Sequence, residues 1–212
     1  MLKLLGNVQS DAYMTTSKTK AKLVDVARQL FAKMGVENTT MNDIALASKK
    51  GRRTLYTYFK SKEDIYLAVA ESELDILLNV MKQVAEKKIS PDEKILEIIY
   101  TRLDAIKEVV YRNGTLRANF FRDIWRVEKV RKRFDANEIL LFRDVLKEGN
   151  EQGIFQVDDI NMTAEIIHYC VKGIEVPYIR GHIGADLDDA TRDKYVAKMI
   201  FGALHRTEKT NQ

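Results

Sequence analysis

A chain of 212 residues, 45% of them hydrophobic, is long enough to bury a substantial core as one large domain or two modest ones. Two prolines, ten glycines and 31% charged residues argue against a sandwich or barrel and predict an all-α fold, while the single Cys170 excludes an intrachain disulfide or a multi-thiolate zinc site. The net charge of +4 is unevenly spread: residues 17–63 hold 11 Lys/Arg against 4 Asp/Glu, residues 64–212 hold 23 against 26, and residues 1–16 hold one of each.

Residues 1–16, MLKLLGNVQSDAYMTT, have no sustained periodicity and are expected to form a flexible arm. They lack the long apolar core of a signal peptide. No run in the chain reaches the roughly 18 apolar residues of a membrane span, so a cytoplasmic protein without a membrane partner is expected. From Lys18, the residues Leu23, Val26, Ala27, Leu30, Phe31 and Met34 form one stripe of an amphipathic helix that Gly35 ends. Thr39 or Thr40 then caps a short second helix with Met41, Ile44 and Ala45. A polar turn, Ser48-Lys49-Lys50-Gly51, leads into a third helix over Arg52–Phe59, with Gly51 as its N-cap.

Ser61 and Asp64 resemble a capping box that opens a long fourth helix through Ile65, Val69, Leu77, Leu78, Met81 and Val84. Ser90-Pro91 restarts the chain as a capping serine with proline at the first helical position, ahead of a stripe from Ile95 to Val110. A short aromatic helix is predicted over Phe120–Trp125, then a long one from about Val127 to Gln152 that Gly153 terminates. Two apolar helices close the chain. The first carries Ile166, Ile167, Cys170, Val171 and Ile174 ahead of Pro177, and the second runs from Tyr195 to Leu204.

The basic segment beside an acidic remainder is the charge pattern of a nucleic-acid reader, or of a merely solvated basic face. Spacing adds to the first reading. In the third helix Leu55 and Phe59 are four apart and anchor one side, which leaves Arg52, Arg53, Thr54, Tyr56, Thr57 and Tyr58 outside. Such a helix fits the major groove, where arginine pairs bidentately with guanine and a threonine methyl meets thymine.

The phrases ARQLFAKMGVENTT, TMNDIA and GRRTLYTYFKSKEDIY, over roughly residues 18–70, resemble the N-terminal domain of the tetracycline-repressor (TetR) family, and LKEGNEQGIF resembles the end of that family's long seventh helix. The resemblance implies a helix-turn-helix DNA-binding domain at 17–63 and a helical ligand-binding and dimerisation domain at 64–212, about nine helices in all. It implies that Arg52, Arg53 and Thr54 face bases with Asn42 as a further reader, and that Tyr56, Tyr58 and Lys62 bind phosphates. Thr40, Lys50, Gly51 and Thr57 complete the candidate DNA contacts. The chain departs from the family at the turn, where Ser48-Lys49-Lys50 replaces a small apolar triplet, and at Arg53, where a small residue is common.

The C-terminal part carries no catalytic constellation. His168 and Cys170 are two apart on a helix and point to nearly opposite sides, and neither His182 nor His205 has metal-ligand companions. The reading is therefore a non-enzyme without cofactor or metal. Tyr100, Leu103, Phe120, Phe121, Trp125, His168, Tyr169 and Tyr178 are candidates either to line a pocket for an unidentified small-molecule effector or to form ordinary core. The apolar stripes of the last two helices suit a homodimer interface. The expected function is a ligand-responsive transcriptional repressor released from double-stranded operator DNA. The rival is a helical ligand-binding or scaffolding protein whose basic domain meets a non-DNA acidic partner.

Overall fold

The computed structural model describes residues 2–112, 124–183, 186 and 188–204. Among them all regular structure is helical: α1 (Leu2–Met34), α2 (Met41–Ala47), α3 (Arg52–Tyr58), α4 (Lys62–Ala85), α5 (Pro91–Arg112), α6 (Ile124–Glu151), α7 (Ile160–Ile179) and α8 (Asp189–Leu204). The short aromatic helix predicted at Phe120–Trp125 lies mostly outside the described residues, and Trp125 itself falls in the first turn of α6. The helix of α1 reaches back to Leu2, through the stretch read as an arm. That stretch holds no proline, and one helical glycine costs only about 1 kcal/mol, so nothing local breaks the helix.

The helix ends follow from side-chain chemistry. Gly35 adopts φ 83° and donates its N–H to the Phe31 carbonyl at 2.9 Å, closing α1 in a left-handed turn. Before α4, the Ser61 N–H donates to Asp64 Oδ2 at 3.0 Å while the Asp64 N–H donates to Ser61 Oγ at 3.1 Å, a reciprocal capping box. Ser90 donates from both its N–H and its hydroxyl to Glu93, and Pro91 occupies the first position of α5. At the end of α6 the Phe155 ring folds back over Gly149, where a Cβ would overlap it, and Gly153 turns the chain at φ 69°. The phrase GNEQGIF is thus a structural corner. Helix α7 does not stop before Pro177 as expected but runs through it to Ile179, because a proline this close to a C-terminus removes only one intrahelical bond.

Cα proximity divides the chain into two units, Met1–Glu73 with Tyr111–Val130, and Leu74–Val110 with Arg131–Gln212. The first unit has a single core. Leu23, Val24, Ala27 and Phe31 of α1 meet Ile44 and Ala45 of α2, Leu55 of α3 with Phe59 just beyond it, and Ile65, Tyr66 and Val69 of α4. In the second unit the described buried apolar residues come from the second half of α4, from α5 (Ile95, Ile98, Ile99, Leu103, Ile106), from α6 (Phe134, Leu141, Phe142, Val145, Leu146), from Phe155 after it, from α7 (Ala164, Ile167, Val171, Tyr178, Ile179) and from Leu204 of α8.

Candidate nucleic-acid interface

Helices α2 and α3 have seven residues each, too short to be stable alone, so their caps and the shared core decide their positions. Thr40 caps α2: its hydroxyl accepts the Asp43 N–H at 3.2 Å and donates to Asp43 Oδ2 at 2.6 Å, and its own N–H donates to the same oxygen at 2.9 Å. Bonds from the hydroxyl and then the backbone N–H of Thr40 hold the Asp43 carboxyl below the usual carboxylate range. The Thr40 hydroxyl is therefore engaged in capping, whereas Asn42, two residues on, is exposed.

The turn between α2 and α3 is tied by Ser48, which is buried and donates its hydroxyl to the Ala45 carbonyl at 3.0 Å. Lys49 follows with φ 55°, a left-handed backbone that costs a residue with a Cβ roughly 1–2 kcal/mol. Its side chain is exposed and Lys50 is half-buried. Replacing Lys49 with glycine is expected to raise stability by about 1 kcal/mol, seen as a higher urea midpoint. A midpoint that stays put or falls would mean that the lysine makes a compensating contact.

Helix α3 is pinned by Leu55, which is 0% exposed, and by Phe59, which is also buried. Arg52 and Arg53 in its first turn are exposed and Thr54 is half-buried. Tyr56 and Thr57 are also exposed, and the Thr57 hydroxyl is turned onto the Arg53 carbonyl at 3.0 Å. Tyr58 is not wholly outside, as its predicted role requires. It packs against the core, because three residues after Leu55 it stands beside the anchoring face. Gly51 sits at φ −64° with room for a Cβ, so close approach rather than backbone strain is what its lack of a side chain offers.

Lys62 departs furthest from expectation. Its ammonium donates to the carbonyls of Val36 at 2.8 Å and Glu37 at 3.1 Å, so it ties the start of α4 to the loop after α1 instead of reaching out for phosphate. Lys20, which the sequence did not single out, stands over the Phe59 ring at 5.9 Å.

The second unit holds a buried ionic cluster that the stripe pattern hid. Arg102 of α5, 0% exposed, places Nε 2.8 Å from Glu138 Oε1 and Nη2 3.0 Å from Glu175 Oε2. Arg131 meets both oxygens of Glu175, at 3.2 and 2.7 Å. His168 Nδ1 lies 2.5 Å from Glu138 Oε2, and Lys172 Nζ 2.8 Å from Asp135 Oδ2. Of the pocket candidates, Leu103, His168 and Tyr178 are buried, with the Tyr178 hydroxyl donating to Asp104 at 2.6 Å, and Tyr100 is half-buried. Tyr169 does not join them: it is 62% exposed, one residue round the helix from buried His168. Phe120, Phe121 and the Trp125 side chain lie outside the described residues. As expected, His168 and Cys170 point apart, the first buried and the second exposed.

Helices α1, α2 and α3, packed with the start of α4 around one core and with two arginines of α3 in water, make the first unit a helix-turn-helix module. Residues 23–69 match the family model described as bacterial regulatory proteins, tetR family. The chain is 27% identical over 158 residues to the HTH-type transcriptional regulator QacR of Staphylococcus aureus, covering 73% of this chain and 83% of that one. It is 28% identical over 152 residues to the HTH-type transcriptional repressor KstR2 of Mycolicibacterium smegmatis, covering 69% and 72%. The fold is similar to that of a transcriptional regulator from Cytophaga hutchinsonii, with a TM-score of 0.69 at 22% identity over 87% of this chain and 97% of the other. It is also similar to FadR from Bacillus subtilis solved in complex with stearoyl-CoA, with a TM-score of 0.59 at 16% identity over 87% and 99%. The first unit is thus similar to the DNA-binding part of the tetR family of bacterial regulatory proteins, and most of the chain is similar to HTH-type transcriptional regulators.

Proposed function

We propose that the protein is a cytoplasmic repressor that binds double-stranded operator DNA as a homodimer and leaves it when a small molecule binds the helical domain. It works by binding, not by catalysis. Residues 17–63 form the DNA-binding domain and residues 64–212 the ligand-binding and dimerisation domain. The observation that carries the reading is the burial of Leu55 and Phe59 beneath α3 with Arg52 and Arg53 exposed above them. In this role Arg52, Arg53, Thr54 and Asn42 read base edges, and Tyr56 with Lys50 holds phosphates. Lys62 acts as an anchor, leaving the N-terminal amides of α4 to meet phosphate.

Exposed Met162, Ile166 and Tyr169 on α7, and Tyr195 and Met199 on α8, support these two helices as the ones that meet a partner. Gly173 continues the α7 row, and a Cβ there would meet nothing. A dimer sets its two recognition helices about 34–36 Å apart to reach successive major grooves. An effector that prefers another spacing shifts the population off DNA, with α4 as the segment shared by both units. The effector is proposed to be an amphipathic or aromatic molecule lodged near Tyr100, Leu103 and Tyr178. That FadR of Bacillus subtilis was solved with stearoyl-CoA supports an amphipathic class.

The test is selection of sites from a random duplex pool, followed by anisotropy titrations of the winning site against random DNA. Arg53→Ala should cost roughly 1–3 kcal/mol on the selected site and relax it at one base pair. Lys50→Ala should weaken both DNAs alike and reduce the salt slope by about one. Identical losses on selected and random DNA for both variants would overturn these roles.

A further inference from the structure

We propose that Asp135 and Glu138 of α6 and His168 of α7 form a site for a divalent first-row transition-metal ion, although no motif in the sequence calls for one. Each side chain offers a ligand atom, and these atoms all lie within 4.8 Å of one another. Glu138 sets the chemistry of the histidine. Its Oε1 stands 2.8 Å from Arg102 Nε and its Oε2 2.5 Å from His168 Nδ1, an arrangement in which the carboxyl oxygens accept and the His168 Nδ1–H donates. The lone pair is then on Nε2. That atom belongs to a side chain only 1% exposed and has no hydrogen-bond partner among the described residues; Asp135 Oδ1, on a side chain 14% exposed, likewise has none.

His168 Nε2 and Asp135 Oδ2 stand 4.0 Å apart. Oδ2 is held by Lys172, but Nε2 and Oδ1 are buried acceptors left without a donor among the described residues, which is costly. An ion bonded to Nε2 and to the free Asp135 oxygen meets that need, with Glu138 behind the imidazole as the carboxylate that orients a metal-bound histidine. The donors are nitrogen and oxygen, and Cys170 is exposed on another face of α7, so the set suits zinc, nickel, cobalt or manganese rather than copper(I). Two protein ligands leave positions for water or a chelating molecule.

Lys172 is the built-in competitor. Asp135, Glu138 and Glu175 are balanced by Arg102, Arg131 and Lys172, so an incoming ion gains most when one of these cations withdraws. Lys172 is the one able to do so: its side chain is 26% exposed, against 0% for Arg102 and 8% for Arg131. Binding would tie α6 to α7 and give the proposed repressor a second effector, a metal ion, beside the amphipathic or aromatic molecule. That link rests on the repressor reading; the site itself is tested without DNA.

Cobalt(II) titrated into the metal-free full-length chain, followed by visible absorption and calorimetry, should bind one equivalent per chain. His168→Gln should abolish this binding and Glu138→Gln should weaken it about 10–100-fold. Lys172→Met should tighten it about tenfold, a gain that misfolding cannot produce. Absence of cobalt binding to the unmodified chain, binding that survives His168→Gln, or no tightening in Lys172→Met would overturn the proposal.

Discussion

Glu175→Ala is expected to destabilise the protein by about 3–5 kcal/mol, because it takes an ionic partner from two buried guanidinium groups at once. Glu175 accepts from Arg102 at 3.0 Å and from Arg131 at 2.7 and 3.2 Å, and its side chain is 3% exposed. Arg102 would keep Glu138 at 2.8 Å, but its Nη1 already lacks a hydrogen-bond partner among the described residues. The measurement is the urea midpoint and slope by circular dichroism, with Asp75→Ala as the control. Asp75 pairs with Arg133 across a surface where both side chains are more than half in water or close to it, 50% and 59%, and removing it should cost no more than about 1 kcal/mol. A loss at Glu175 as small as that at Asp75 would show that water reaches the arginines and that the cluster is not dry.

The punctuation of this fold was legible because it is local. Thr40, Gly35, Ser61 with Asp64, Ser90-Pro91 and Gly153 each satisfy or redirect backbone groups within a few residues, and each stands where a cap or stop was expected. The face of α3 was legible for the same reason, since Leu55 and Phe59 are one turn apart.

What escaped depends on partners distant in the chain. Glu175 meets Arg102 across 73 residues, and Lys62 meets Val36 across 26. A one-dimensional stripe gives no hint of either pairing. It does, however, contain ionisable residues in apolar company: Arg102 among Ile98, Ile99, Leu103 and Ile106, and Glu138 between Phe134 and Leu141. Those interruptions were the available signal for a buried network. Helix α7 was ambiguous for another reason. It is apolar almost all round, so Ile166 and Cys170 were grouped with Ile167 and Val171, although the first two are exposed and the last two buried.

Leu55→Ala is the substitution that bears most directly on the DNA-binding reading. Leu55 is 0% exposed in a core shared by α1, α2, α3 and α4, and truncating a leucine in such a place costs about 2–5 kcal/mol, depending on how far the cavity collapses. Helix α3, with seven residues and a glycine N-cap that offers no side-chain bond, has little else to hold it in register. The expected result is a lower urea midpoint together with loss of binding to the selected DNA site, even where the remaining helix content is high. Leu55→Met keeps the volume and should cost less than about 1.5 kcal/mol while restoring affinity. Thr57→Ala, at an exposed position of the same helix, should leave stability nearly unchanged. If Leu55→Ala bound the selected site as tightly as the unmodified chain, the arginines would not depend on that anchor for their position, and the recognition surface would have to be sought elsewhere on the first unit.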